Sequence, residues 1–198
     1  SFMDTRLSQQ IDFIMEMDRL KAVLRQNKTP SAQRRENTAE HSWHLAIMGL
    51  ILEDQSPTPT DRAKVLCMLL LHDVVEIDAG DTFAYDESSH ADKAEREAQA
   101  ADRLFGLLPD DQQRELRALW DEFEAGQSSE AKLARALDRL QPILMNHRCG
   151  ALSSWAQHGI SKDQVLSRNH EVQTLSPALW QLLNRCCDEA IAGGFLKP

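Results

Sequence analysis

His41, His72, Asp73 and Asp138 are the residues of this chain best suited to chemistry, because each stands among apolar neighbours. His72 and Asp73 close the run Leu66-Cys67-Met68-Leu69-Leu70-Leu71, and Asp138 sits within Ala136-Leu137-Asp138-Arg139-Leu140. An ionisable side chain withdrawn from water is costly unless something compensates it, and a metal ion would compensate all four. Two imidazoles and two carboxylates make a mixed N/O donor set, suited to a divalent transition metal or Mn²⁺ and not to a thiolate site. An octahedral ion held this way keeps two positions open, as a catalytic metal requires. Each residue alone has a plainer reading: His41 as a helix-surface residue, Asp138 as one half of an ion pair with Arg139. The order His, His-Asp, Asp along a helical chain favours the metal. Glu76 follows His72 at i+4, which on one helix gives the two a shared face, with Asp73 about 100° round the axis.

Helices must position these groups. Ile11, Ile14, Met17, Leu20 and Leu24 recur at helical steps and predict a first helix from about Leu7 to Gln26 with that face buried. Asn27-Lys28-Thr29-Pro30-Ser31 is a turn by composition. Thr38 is the expected N-cap of a second helix, with His41 at N3 followed by His44, Leu45, Ile47, Met48 and Leu52. After a break over Gln55–Pro59, Thr60 or Asp61 caps a third helix that runs into His72, and Ile77–Thr82 is a turn holding Asp78 and Asp81. Ser88–Leu107 reads as a charge-dense, solvent-facing helix. Pro109 opens a helix closed by Gly126. Ser128 or Ser129 caps the next, which carries Asp138 and which Pro142 should kink or locally re-satisfy. Ser161–Asn169 and Pro177–Ala192 complete the set. No stretch alternates apolar and polar residues between hairpin turns, so no strand is predicted and the fold class is all-α. Trp43, Trp120, Trp155 and Trp180 read as core or interface aromatics, and His44 as a satisfied core histidine. His147, His158 and His170 match no ligand position.

A hydrophobic content of 42% and a charged content of 27% over 198 residues suit a folded domain with one core. The net charge of −9 disfavours broad docking onto nucleic acid or anionic membrane. No apolar run approaches the roughly 18–20 residues of a membrane span. No charged-then-apolar leader is recognised, and Ser1-Phe2 ahead of Met3 reads as a cloning remnant and is set aside. Cys67, Cys149, Cys186 and Cys187 show no C-x-x-C spacing, so reduced core thiols in a cytoplasmic protein are expected. One stretch inverts the overall sign: Arg19, Lys21, Arg25, Lys28, Arg34 and Arg35 occur without an intervening acid. It reads either as a solvated helix face or as a collar that draws in an anion.

Three motifs stand in order: Ala39-Glu40-His41-Ser42, then His72-Asp73-Val74-Val75-Glu76-Ile77-Asp78-Ala79-Gly80-Asp81, then Ala136-Leu137-Asp138-Arg139. With them the chain resembles the HD superfamily of metal-dependent phosphohydrolases, and within it the small HD-domain 5′-nucleotidases (5′-deoxynucleotidases). The resemblance spans roughly Arg19 to Pro142. It implies a helical bundle forming a single domain over 1–198, with a catalytic core of about 19–142 and C-terminal helices over 143–198 completing it. It implies one divalent metal ion (Mn, Co, Fe, Ni, Zn or Mg) held by His41, His72, Asp73 and Asp138. Glu76 would orient or activate the attacking water, and Asp81 would contact the sugar or leaving oxygen. Arg25, ending Leu20-Lys21-Ala22-Val23-Leu24-Arg25, matches the family's phosphate-binding arginine. The implied reaction is hydrolysis of nucleoside 5′-monophosphates, deoxy forms included, with a homodimer as the assembly and late helices such as Pro177–Ala192 as a candidate contact. In the best-known bacterial members a tryptophan after this arginine crowds the sugar 2′ position. Here Gln26 offers an amide that can hydrogen-bond a 2′-hydroxyl, so the resemblance leaves the choice between ribose and deoxyribose open.

Rival readings fare less well. A two-metal HD phosphodiesterase needs further histidines between His-Asp and the last Asp, and only His90 lies there, on the charged helix as an expected surface residue. A dNTP triphosphohydrolase needs a larger chain and more basic residues. An HD hydrolase of another phosphate ester and a non-catalytic nucleotide-binding HD module remain as alternatives. Degenerate HD domains lose a ligand, whereas this chain keeps all four.

Overall fold

The computed structural model describes residues 4–198; Ser1 and Phe2, set aside above, lie outside the described residues. Asp4 caps α1 (Thr5–Met17), its side chain accepting from the Arg6 N–H at 3.1 Å. The expected continuation to Gln26 does not occur. A 3-10 turn over Asp18–Ala22 takes over, Val23 turns extended, and the chain enters β1 (Leu24–Lys28). Of the predicted buried face Leu20 alone is buried and Met17 is half-buried, while Ile11, Ile14 and Leu24 are exposed and Phe13 is buried instead.

β1 pairs antiparallel with β2 (Arg35–Asn37), Leu24 opposite Asn37 and Lys28 opposite Arg35, with an irregularity between. This hairpin corrects the strandless reading. The buried residues of its two strands are Asn27 and Glu36, both polar, so no apolar alternation exists to reveal it. Arg35 fastens it, Nε donating to the Arg25 carbonyl at 2.6 Å.

The rest is helical. Asn37, not Thr38, caps α2 (Thr38–Leu52): its side chain accepts from the Glu40 N–H at 2.9 Å, and Glu40 accepts from the Asn37 N–H at 3.0 Å. This capping box moves His41 one position past N3. α3 (Arg62–Leu71) starts at Asp61 and ends at His72. Residues 72–75 then tighten, with Val74 N–H bonding Leu71 O at 3.2 Å and Glu76 N–H bonding Asp73 O at 3.0 Å, before the short α4 (Glu76–Ala79). His72 and Glu76 therefore do not share one helix face, a second correction. Gly80, at φ 76, turns the chain away after α4 in a conformation that favours glycine.

α5 (Lys93–Phe105), α6 (Asp110–Ala125) and α7 (Ser129–Cys149) follow, the last capped by Ser128. α5 is not simply solvent-facing, because Ala100, Ala101, Leu104 and Phe105 are buried. α7 continues through Pro142. α8 (Ser154–His158), α9 (Lys162–Ser167), α10 (His170–Leu175) and α11 (Pro177–Ala192) complete the chain. α8 and α10, of five and six residues, escape sequence reading because they are too short to display a helical period, whereas the equally short α9 is announced by its Ser161 cap.

α7 is the axis. Leu133, Leu137 and Leu140 are fully buried among residues of α2, α3, α6, α10 and α11, and each contributes roughly 1.5–3 kcal/mol through burial. A second cluster gathers Phe13, Val74, Val75, Leu104, Phe105 and Trp120. The turn after α3 lies at the seam of the two, and Trp120 Nε1 anchors it by donating to the His72 carbonyl at 3.1 Å. Trp120 and Trp155 are core residues as expected, but Trp43 is 63% exposed. Among the thiols, all free, Cys186 and Cys187 are buried, whereas Cys67 is exposed and does not fit the core reading. No helix among the described residues is long and apolar enough to cross a membrane.

Candidate metal centre

The four predicted donors converge from three helices and one turn. His41 comes from the first turns of α2, His72 from the end of α3, Asp73 from the turn that follows it, and Asp138 from the middle of α7. One ligand atom from each lies within 4.8 Å of all the others. His41 Nε2 is 2.9 Å and His72 Nε2 3.3 Å from Asp138 Oδ1; His72 Nε2 is 3.1 Å from Asp73 Oδ2.

The second ring nitrogens decide what these contacts are. His72 Nδ1 donates to the Leu69 carbonyl at 2.7 Å, and His41 Nδ1 faces Gln141 Oε1 at 3.2 Å. With Nδ1 of each ring so engaged, both Nε2 atoms face carboxylates, an arrangement that needs positive charge between them, supplied by a metal ion or, without one, by protons on Nε2. Asp73 Oδ2 is buried without any hydrogen-bond donor. A divalent ion fits this donor set: two imidazole nitrogens and two carboxylate oxygens, with an orphaned oxygen pointing inward.

The same need for positive charge shows in how the groups titrate without an ion. Burial pulls the His72 pKa down, but Asp73 and Asp138 overcome it and hold the imidazole well above its ordinary range. Burial likewise opposes ionisation of Asp138, yet the charge of His72 and bonds from both histidines keep it well below the usual carboxylate range. Glu76 behaves oppositely. Burial, then the charge of Asp73, lifts its carboxyl well above the ordinary value, with Arg25 offsetting only part. Asp81 is raised chiefly by burial.

A cleft of about 130 Å³ opens from the donors, lined by Arg25, Gln26, Asp73, Glu76, Asp81 and Asp138 among others. Every predicted site residue except His41 and His72, which lie deeper, thus faces one space. Arg25 Nη1 is 3.5 Å from Asp73 Oδ2 and 3.7 Å from Asp81 Oδ1, while its Nε is 3.4 Å from Glu36 Oε1. The collar does not form around it. Arg19 pairs with Glu16, Lys21 with Asp18, Arg34 with Glu40, and Arg35 binds strand carbonyls. Arg25 is the member of the run that faces the donors, because strand geometry turns it inward.

Three participants went unnoticed in the sequence. Thr38 Oγ1 donates to Glu76 Oε2 at 2.9 Å; Gln141 Nε2 donates to Glu36 Oε2 at 2.9 Å; Glu36 itself is 2% exposed. Glu36 directly ends the acid-free run, the one hint available. His44 is half-buried and its Nδ1 accepts from Gln141 at 3.1 Å, so it is satisfied and outside the donor set. His90 is not a plain surface residue: it is half-buried, lines the cleft, and lies 3.3 Å from the Phe83 carbonyl.

Comparison with known proteins gives one family model, described as an HD domain, matching residues 17–180. The bovine protein named 5′-deoxynucleotidase HDDC2 is 33% identical over 114 residues, 58% of this chain and 54% of that protein. Its human counterpart of the same name is 30% identical over 132 residues, 63% of each chain. The chain thus spans between half and two thirds of the length of these curated relatives. A crystal structure from Magnetospirillum magnetotacticum, described as a predicted metal-dependent phosphohydrolase, is 44% identical with a TM-score of 0.90, covering 98% of this chain and 100% of that one.

Proposed function

This chain belongs to the HD-domain family, and from that premise we propose that it is a metal-dependent phosphomonoesterase releasing phosphate from nucleoside 5′-monophosphates. One observation carries the reading: the Arg25 guanidinium lies 3.5 Å from Asp73, beside a set of four donors within 4.8 Å of one another. A phosphate ester needs both neighbours, a cation-binding cage and a planar fork for its remaining oxygens.

His41, His72, Asp73 and Asp138 would hold one divalent ion, which when bound supplies charge to the phosphate oxygens and lowers the pKa of a water. Arg25 grips the phosphate. Glu76, made more basic by burial and fixed by Thr38, orients the attacking water and takes its proton. As the new P–O bond forms, the bond to the 5′ oxygen breaks, that oxygen takes up through solvent the proton that Glu76 received, and Asp81 holds that oxygen or the sugar beside it. Gln26, at the cleft wall, presents its amide to the 2′ position. The names of the bovine and human relatives support the nucleotide as substrate class.

The same reading covers organisation. Trp155 and Leu183 share one cluster with Leu45 and Leu137, which supports a single domain over 1–198. The apolar side chains left exposed on α2 (Trp43, Ile47, Leu50 and Ile51) support a homodimer contact there, whereas the apolar residues of α11 are committed to the core. Free thiols support a reducing, cytoplasmic setting.

The test is a panel of nucleoside monophosphates with Mn²⁺- or Co²⁺-loaded protein. Phosphate should be released from 5′- and not 3′-monophosphates; silence toward every 5′-monophosphate across the metals would sink the nucleotidase reading.

A further inference from the structure

A second cavity, about 580 Å³, lies between the α6–α7 junction, the loop after α2 and the α9–α10 pair. It shares Arg139 and Arg168 with the metal cleft. Its lining carries a single carboxylate, Glu171, and that one is taken by Arg135 at 3.4 Å. Arg135 is further committed to the carbonyls of Phe123 and Glu124, both at 3.3 Å. Three cations remain: Lys132, Arg139 and Arg168, none with a carboxylate partner among the described residues.

Arg168 is the sharpest anomaly. It is half-buried, and its Nε is sequestered without a hydrogen-bond partner. Burial, then the like charge of Arg139, lowers its pKa from the ordinary arginine value. Guanidinium groups are forks that match phosphate oxygens, and desolvating one without an anion is unfavourable. The volume is that of a small-molecule pocket. The cavity also has Pro57 and Leu175 in its wall, apolar surface for a ring.

We propose that this cavity is a second anion site, adjoining the metal cleft along the shared Arg139 and Arg168, that takes an organic di- or triphosphate of nucleoside size. Lys132, Arg139 and Arg168 receive the phosphates, and the Pro57 and Leu175 wall receives the organic part. Three unpaired cations exceed the needs of one phosphate, which is why the ligand carries at least two.

The experiment is calorimetric titration of metal-stripped protein at low salt with ADP and with inorganic pyrophosphate. ADP should bind at one site and more tightly than pyrophosphate. Lys132→Glu alters an exposed side chain of this cavity alone and should weaken ADP by about tenfold or more. Arg25→Ala, in the metal cleft, should leave it within about twofold. Loss through Arg25→Ala with binding intact in Lys132→Glu would put the anion in the metal cleft and overturn the proposal. Absence of binding by both probes would overturn it too, and equal affinity of the two would overturn the organic part.

Discussion

Gln141 Oε1 lies 3.2 Å from His41 Nδ1 while Gln141 Nε2 donates to Glu36 Oε2 at 2.9 Å, so one buried amide fixes the tautomer of the His41 ring. His41 Nε2 is thereby aimed at Asp138, where it can meet a metal ion. Gln141→Leu keeps the volume and removes this hold. Metal affinity should fall by about 10–100-fold, read by competition with a chelator of known affinity. Unchanged affinity would mean that packing alone orients His41.

Glu76→Gln preserves shape and leaves an acceptor for the Thr38 hydroxyl, but it cannot take a proton. Turnover should drop by about 100-fold or more while metal content by mass spectrometry stays at the wild-type level. Asp138→Asn should show the converse, loss of the metal itself. If Glu76→Gln also empties the site, Glu76 is a ligand and its assignment to the water is wrong.

Gln26→Trp replaces an amide on the cleft wall with a flat apolar ring. The ratio of deoxyribonucleotide to ribonucleotide turnover should rise by about tenfold, through lost ribonucleotide activity. An unchanged ratio would show that Gln26 does not meet the 2′ position.

Asn37→Ala removes the side-chain half of the α2 capping box, worth about 1 kcal/mol. For a chain of this size the thermal midpoint should fall by about 2–4 °C. Scans of metal-free protein suffice to measure it. A Thr38→Val variant should show a different pattern, since its hydroxyl serves Glu76 and not the cap.

Alkylation should discriminate among the thiols by pH. Burial pushes the Cys187 thiol up to about 12, so at pH 8 only about one molecule in 10,000 carries the reactive thiolate there. Raising the pH toward 10 increases that fraction, yet it stays small while the protein is folded. Exposed Cys67 should therefore react with iodoacetamide first, and Cys187 last, as peptide mapping would show. Early labelling of Cys187 would contradict the burial of α11.

The residues themselves determined the donor types, their order and the helical class, because apolar periods and the company of His41, His72, Asp73 and Asp138 are local properties of the chain. Some helix ends were legible for the same reason, as at Ser128 and Gly126, where caps mark themselves. Only tertiary structure decided how the donors meet. The expected shared face of His72 and Glu76 is a tight turn across the seam of two apolar clusters, whose packing no local window records. β1 is held by pairing with β2 and by Arg35, contacts between polar residues about ten apart that leave no hydrophobic pattern. That strand turns Arg25 toward the donors, while Arg19, Lys21 and Arg34 are left to surface pairs. Glu36 and Gln141 became visible for a related reason: an uncharacteristic burial appears only after the chain has closed around it.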